Sequence, residues 1–234
     1  MNVRRLISFL YPDRCAVCDE LIESGNMLCE ACAVRIKPLR GDTCHRCGKL
    51  LSDTDRLYCY DCSRKIHFFD RGFAVFEYSD IKKSLYRFKY AGRAEYAAFY
   101  AFAADMTYGK ILRQLDLDAI VPIPIHKKRL AVRGYNQAKE FANELSKRIN
   151  TPVKDDLVER CRSTVPLKKL SEEERKNNLK NAFIIASNDV KLKKILLVDD
   201  IYTTGATIDT VSALFKEHGA KQIYFITVAI GAGM

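Results

Sequence analysis

Residues 195–207 read Ile-Leu-Leu-Val-Asp-Asp-Ile-Tyr-Thr-Thr-Gly-Ala-Thr, and the fold follows from this stretch more than from any other. Residues 195–198 are a continuous apolar run of the kind that forms a strand buried on both faces. The run ends in two carboxylates, Asp199 and Asp200, and a loop of hydroxyl and glycine residues then leads into a helix expected over 208–217. Such a turn points several backbone N–H groups into one concavity at a helix N-terminus, which suits a phosphate. Carboxylates beside that cradle accept hydrogen bonds from neutral hydroxyls. The stretch therefore suits a molecule with a phosphate on one side and a diol on the other, as in a ribose 5-phosphate. An ordinary strand-to-helix turn with a capping threonine does not explain the adjacent acids. Desolvating two like charges at the end of a buried strand is costly without a ligand or cation.

Working outward, residues 73–78 read as a strand and residues 81–90 and 96–112 as helices. A strand over 118–125 carries Pro122 and Pro124 at its end, where proline is tolerated. A helix is expected over 137–149, short strands over 153–158 and 183–186, a charged helix over 171–179 and a last strand over 222–230. Alternating strands and helices predict an α/β fold, a parallel sheet with helices on both faces. Ligands of such sheets bind at the carboxyl ends of the strands, where Asp199 and the loop after Pro124 lie.

A different chemistry fills the first part of the chain. Eight of the nine cysteines fall within the first 62 residues, as Cys15-x2-Cys18, Cys29-x2-Cys32, Cys44-x2-Cys47 and Cys59-x2-Cys62. Each knuckle turns two thiolates toward one point, and two knuckles complete a tetrahedron around zinc. Spacers of 10 and 11 residues within the two halves look like tandem zinc ribbons. The spacing favours sequential pairing; interleaving the first pair with the third and the second with the fourth is the rival. His45 is a knuckle residue in this reading, although it could stand in for a cysteine. Closed four-thiolate sites leave no open position, so these zincs are expected to be structural, supporting a module too small for a core of its own. The expected organisation is a short amphipathic helix and double ribbon over 1–65, then an α/β domain over 70–234. Cys161 stands alone and reads as a packed residue rather than a nucleophile.

Composition narrows the classes further. No apolar run is long enough to span a bilayer. The stretch 6–10 behind Arg4 and Arg5 is too short for a signal h-region, so a cytoplasmic protein is expected. The formal charge of +10 falls to roughly +6 once eight thiolates and two Zn²⁺ are included. Residues 1–70 hold 11 Lys/Arg against 10 Asp/Glu, and the remainder 28 against 19. The positive surplus thus lies in the larger domain, where a polyphosphate would bind or nucleic acid would dock. Solvated lysines and arginines on helix faces account for most of it.

The 195–207 segment resembles the phosphoribosyl-pyrophosphate (PRPP) motif of type I phosphoribosyltransferases. The whole chain resembles the ComF family, in its ComFC-like branch, which is linked to DNA uptake in bacterial competence. Supporting stretches are Phe88-Lys89-Tyr90 with Gly92-Arg93, then Val121-Pro122-Ile123-Pro124, then Arg133-Gly134-Tyr135-Asn136-Gln137. Leu170-Ser171 with Arg175, Asn178 and Ala182-Phe183 is similar to a further family segment, although Leu167 follows Pro166 where a glutamine is expected. The resemblance implies that Asp199 and Asp200 accept from the ribose hydroxyls, one of them through Mg²⁺-bound water. It implies that Thr203, Thr204, Gly205, Ala206 and Thr207 wrap the 5-phosphate. Lys89, Arg133, Lys127, Lys128 and Arg129 are candidates for neutralising pyrophosphate, with a solvated charge as the alternative for each. Arg175 and Asn178 lie in a hydrophilic stretch, 162–181, of the length of a lid. Asn136 and Gln137 could instead simply begin the following helix.

The implied activity is Mg²⁺-dependent transfer from PRPP to an unidentified acceptor, with a role in DNA uptake. The alternative is a non-catalytic DNA-uptake protein. In it the PRPP site senses a metabolite while the ribbons bind single-stranded DNA or a helicase partner; Tyr58, Tyr60, Phe68 and Phe69 are candidates for a stacking platform, with packing at the module junction as the more common role of such aromatics. A salvage or glutamine-fed enzyme is weaker, since Met1 is not followed by a cysteine.

Overall fold

The computed structural model describes residues 12–161, 182–186 and 192–231. The expected helices over 2–11 and 171–179, and with them Arg175 and Asn178, lie outside the described residues. Each cysteine-rich half repeats one geometry. A first knuckle turns tightly, with the N–H of Asp19 bonded to the Cys15 carbonyl and that of Gly48 to the Cys44 carbonyl. Residues at the two ends of the turn then bridge, Arg14 with Leu21 and Thr43 with Leu50. The second knuckle opens a helix: Cys29 immediately precedes α1 (Glu30–Arg35) and Cys59 immediately precedes α2 (Tyr60–Arg64).

The remaining elements alternate as the sequence suggests. They run β1 (Arg71–Glu77), α3 (Tyr78–Tyr90), α4 (Tyr96–Gln114), β2 (Ala119–Pro122), α5 (Lys127–Arg133) and α6 (Gln137–Ile149). Then come β3 (Val158–Arg160), β4 (Phe183–Ile185), β5 (Lys194–Tyr202), α7 (Ala206–Glu217) and β6 (Gln222–Ile230). Strands β1, β6, β5 and β2 form one sheet in that order, every neighbouring pair parallel. Strands β3 and β4 form a separate antiparallel pair.

Three expectations need correcting. The strand expected over 195–198 runs on through Asp199 and Asp200 to Tyr202, because pairing with β6 continues as far as Ile230. Of the strand expected over 153–158, Val153 makes a lone parallel bridge to Ile120, and the strand itself begins at Val158. Helix α5 was not foreseen: none of its seven residues is buried, so it carries no apolar period to read.

Successive residues of a strand face opposite sides of a sheet, and each side of this sheet has its own core. Leu196, Val198, Ile226 and Val228 pack with Phe88, Tyr100 and Phe141 of α3, α4 and α6. Ile195, Leu197, Ile223 and Phe225 pack on the other side with Ile208, Val211 and Phe215 of α7 and with Val158 and Phe183. The two ribbons divide between these cores. Cys15, Ala16, Val17, Cys32 and Ile36 join the first, and Leu39, Cys44, Cys47 and Cys59 join the second. Glycine at 48 follows from this docking: it sits at φ +78°, and a Cβ there would meet the Gly72 carbonyl oxygen at 2.9 Å. Among the described residues no helix is long and apolar enough to cross a membrane.

Candidate functional site

The carboxyl end of β5 brings Asp199, Asp200 and the 203–207 loop together beside Lys89. Gly205 sits at φ 77° and opens α7, whose N-terminus no side chain caps among the described residues. The first-turn amides of a helix have no intrahelical partner, so this end is left to an anion or to solvent. Glycine is required at 205 by its left-handed backbone and by Tyr202, whose hydroxyl stands where a Cβ would be. The Tyr202 ring in turn stacks on Phe225, with centroids 5.0 Å apart and an interplanar angle of 4°. Thr203 and Thr204 are exposed at the tip of the turn, and Ala206 and Thr207 are half-buried.

Behind the loop stand the two acids. Asp200 reaches toward α3, where Lys89 Nζ lies 3.0 Å from its Oδ2, both side chains less than one fifth exposed. Asp199 Oδ1 accepts the N–H of Asp200 at 2.8 Å. Burial, and after it the charge of Asp200, push the Asp199 carboxyl up to about 7, with Lys89 and Arg160 opposing the shift. Arg160 in β3 is held below its ordinary value by desolvation and by Arg129, while Asp199 pulls it up. Nothing in the sequence singled out Arg160. It stands in no motif, and only the β3–β4 pairing, with its guanidinium 5.1 Å from the Phe183 ring, carries it toward the acids.

Arg133 is committed within the protein. Its guanidinium donates to Gln137 Oε1 at 2.7 Å and to the Tyr90 hydroxyl at 3.0 Å. Asn136 caps α6, accepting from the Ala138 N–H at 3.2 Å and donating to the Ile123 carbonyl at 3.0 Å. Gln137 is buried, and the Tyr135 hydroxyl donates to the Phe88 carbonyl. The stretch Arg133–Gln137 thus ties the end of β2 to the end of α3 and so places Lys89. Lys127, Lys128 and Arg129 are exposed on α5, which His126 caps by accepting from the Lys128 N–H at 3.2 Å.

A groove of about 580 Å³ adjoins the Lys89–Asp200 pair, lined by Lys82, Lys83, Tyr86, Lys89, Tyr90 and Ile201. Tyr86 and Tyr90 stand one helical turn apart with ring centroids at 5.2 Å, both more than half exposed. The four aromatics of the ribbon region divide between surface and core. Tyr58, Tyr60 and Phe68 are exposed, but Phe69 is 1% exposed and serves the core. Cys161, expected to be packed, is exposed: it follows the last residue of a short strand, and its N–H bonds the Ala182 carbonyl.

The thiols gather sequentially. Cys15, Cys18, Cys29 and Cys32 form one group and Cys44, Cys47, Cys59 and Cys62 the other, with the sulfurs of each within 4.8 Å of one another. Cys18 lies 3.7 Å from Cys29, and Cys47 3.7 Å from Cys59. A tetrahedral zinc with bonds near 2.3 Å sets its sulfurs about 3.8 Å apart, so both cages fit the ion. Hydrogen bonds from Cys47 and Cys62 hold the Cys44 thiol far below its ordinary value, while bonding to Cys44 drives Cys62 far above. A divalent cation bound among these sulfurs would stabilise the thiolate form of each of them.

Comparison with known proteins coincides with both halves. Residues 6–63 match the double zinc ribbon domain, and residues 135–232 match the phosphoribosyl transferase domain. Competence protein F of Haemophilus influenzae is 30% identical over 225 residues, covering 90% of this chain and 93% of that one. Competence protein ComFC of Bacillus subtilis is 27% identical over 213 residues, covering 85% and 82%. DNA utilization protein YhgH of Escherichia coli K12 is 28% identical over 217 residues, covering 91% and 94%. The chain belongs to the ComF family, a double zinc ribbon joined to a type I phosphoribosyltransferase fold.

Proposed function

We propose that the protein binds PRPP with Mg²⁺ at the β5–α7 turn, transfers the phosphoribosyl group to an acceptor, and acts in DNA uptake. One observation carries the binding reading: an uncapped helix N-terminus behind Gly205 stands next to Asp199, Asp200 and Lys89 at the carboxyl end of a central parallel strand. The amides of residues 203–207 would hold the 5-phosphate, and Asp199 and Asp200 the ribose 2- and 3-hydroxyls. Lys89 would exchange its bond to Asp200 for the pyrophosphate. When bound, Mg²⁺ supplies charge neutralisation on pyrophosphate oxygens and keeps several of its waters. The acidic pair fits it, since burial and mutual repulsion leave Asp199 short of positive charge. In the reaction the bond from C1 to pyrophosphate breaks, the electron pair leaves with pyrophosphate, and the acceptor attacks C1. The chain contributes position, neutralisation and exclusion of water. The names of the relatives, competence and DNA utilization proteins, support the role in DNA uptake.

A second reading has its own observation. The lysine-lined groove with Tyr86 and Tyr90 exposed side by side has the elements that single-stranded nucleic acid uses, cations for the backbone and aromatic faces for bases. In that reading the PRPP site reports a metabolite and no transfer occurs. Calorimetry of PRPP with Mg²⁺, followed by pyrophosphate-release screening against nucleobases, nucleosides and oligonucleotides, separates the two. PRPP binding that is lost in Asp199→Asn/Asp200→Asn, together with pyrophosphate release, supports transfer. Binding without release supports the sensor. No heat of binding overturns the site.

A further inference from the structure

A buried imidazole lies between the second four-cysteine group and the first turn of α7. His67 lies between the ribbons and β1, its side chain 2% exposed. Its Nδ1 stands 2.7 Å from Asp209 Oδ2, and its Nε2 3.6 Å from Cys62 Sγ. Asp209 sits in the first turn of α7, and its other oxygen accepts the Phe68 N–H at 3.2 Å. A carboxylate at that position complements the helix dipole, yet here it turns back to grip the linker. The next residue extends the contact. Phe69 stacks on the His67 ring at 4.6 Å and meets Tyr202 edge-on at 6.3 Å, beneath Gly205. Phosphate loop, first turn of α7 and second cysteine group therefore share one floor.

The first cysteine group has no such connection among the described residues. Its contacts go to the opposite face of the sheet: Arg93 and Tyr96 donate to Asp19, and Arg87 donates to the Val17 carbonyl at 3.1 Å. Partners that orient metal ligands from outside the coordination shell commonly decide how firmly a site is held. Here the outer partner also holds the start of a ligand-binding helix.

The geometry points to His67 as a positioning residue that holds the phosphate loop through Asp209, so that the loop is tied to the second ribbon and not to the first. The consequence for substrate rests on the PRPP reading given above; the link itself does not.

The test uses the full, zinc-loaded chain. Hydrogen exchange is followed at the amides of residues 203–209, with zinc content and Mg-PRPP calorimetry measured on the same samples. Losing a charge-assisted bond, His67→Ala is expected to speed loop exchange and weaken PRPP about tenfold while two zincs are retained. His67→Asn places an amide where Nδ1 stands and should restore most of both, whereas His67→Gln should not. If His67→Ala does not fold, Asp209→Asn reads the same bond and should loosen the same amides. Asp19→Asn disturbs the first ribbon's docking and should leave the loop amides unchanged. Equal exchange in wild type, His67→Ala and Asp209→Asn would overturn the link, as would equal loosening by Asp19→Asn. Loosening without any PRPP heat in wild type sustains the link and removes the PRPP reading.

Discussion

At Asp199 burial and a neighbouring charge act in the same direction, and the pH dependence of stability follows. Its carboxyl is raised from 3.8 to about 7, so the folded state holds the proton more tightly than the unfolded chain. The contribution of this group is fully present below its unfolded value and is lost as pH rises through about 7. Asp199→Asn should therefore come close to wild type near pH 4 and exceed it in thermal stability at pH 8 by on the order of 10 °C. A melting-temperature difference that stays flat between those pH values would show that the carboxyl is not desolvated. Gly205 makes a prediction of opposite sign. Its φ of 77° alone costs an L-residue about 1–2 kcal/mol, and Tyr202 closes the space a methyl would need. Gly205→Ala should lower stability by at least that amount in urea titrations. It should also weaken PRPP more than a change at exposed Thr203, because the loop must move to admit the methyl.

Among the elements, the two ribbons differ from appended modules because their cysteines are core residues on opposite faces of one sheet. Metal binding energy in such sites is folding energy. Chelation should consequently unsettle the sheet as well as the ribbons, with a melting-temperature fall of about 10 °C or more. Circular dichroism with a strong chelator reads this directly, and unchanged melting would mean that the ribbons fold apart from the sheet. The docking is also electrostatic. Asp19 is pushed up by burial, but hydrogen bonds from Tyr96 and Arg93 outweigh this and hold its carboxyl below the usual range. A smaller element-level effect concerns α6. Removing its cap with Asn136→Ala should cost about 1 kcal/mol, with an additional loss from the freed Ile123 carbonyl.

On the scale of the whole molecule, the positive surplus of the larger domain has a defined outlet in the groove beside α3. If nucleic acid tracks that groove, the affinity for a single-stranded oligonucleotide should fall linearly in log–log salt plots. Lys82→Glu/Lys83→Glu should then make the slope shallower by about 1.4, roughly 0.7 for each lysine. An unchanged slope places the nucleic acid elsewhere. Because Tyr86 is 64% exposed, replacing it by alanine should reduce oligonucleotide affinity without lowering the melting temperature.

Local covalent patterns carried most of the sequence reading. The alternation of elements, the cysteine spacing and the order of strand, acids, glycine loop and helix were all legible, because each depends on neighbours within a few residues. The acids were placed at the end of a strand, while pairing with β6 keeps them inside it; that pairing joins segments that no local window contains. What the tertiary structure alone decided are the contacts across distance. Arg160 comes to Asp199 by a hairpin-like pair, Arg133 is spent on Tyr90 and Gln137, and the two ribbons divide between the faces of the sheet. His67 meets Asp209 across 142 residues of chain. A lone histidine before a strand carries no mark of its partner, since a buried hydrogen bond is specified by the packing that brings two groups together and not by either group's neighbours in the chain.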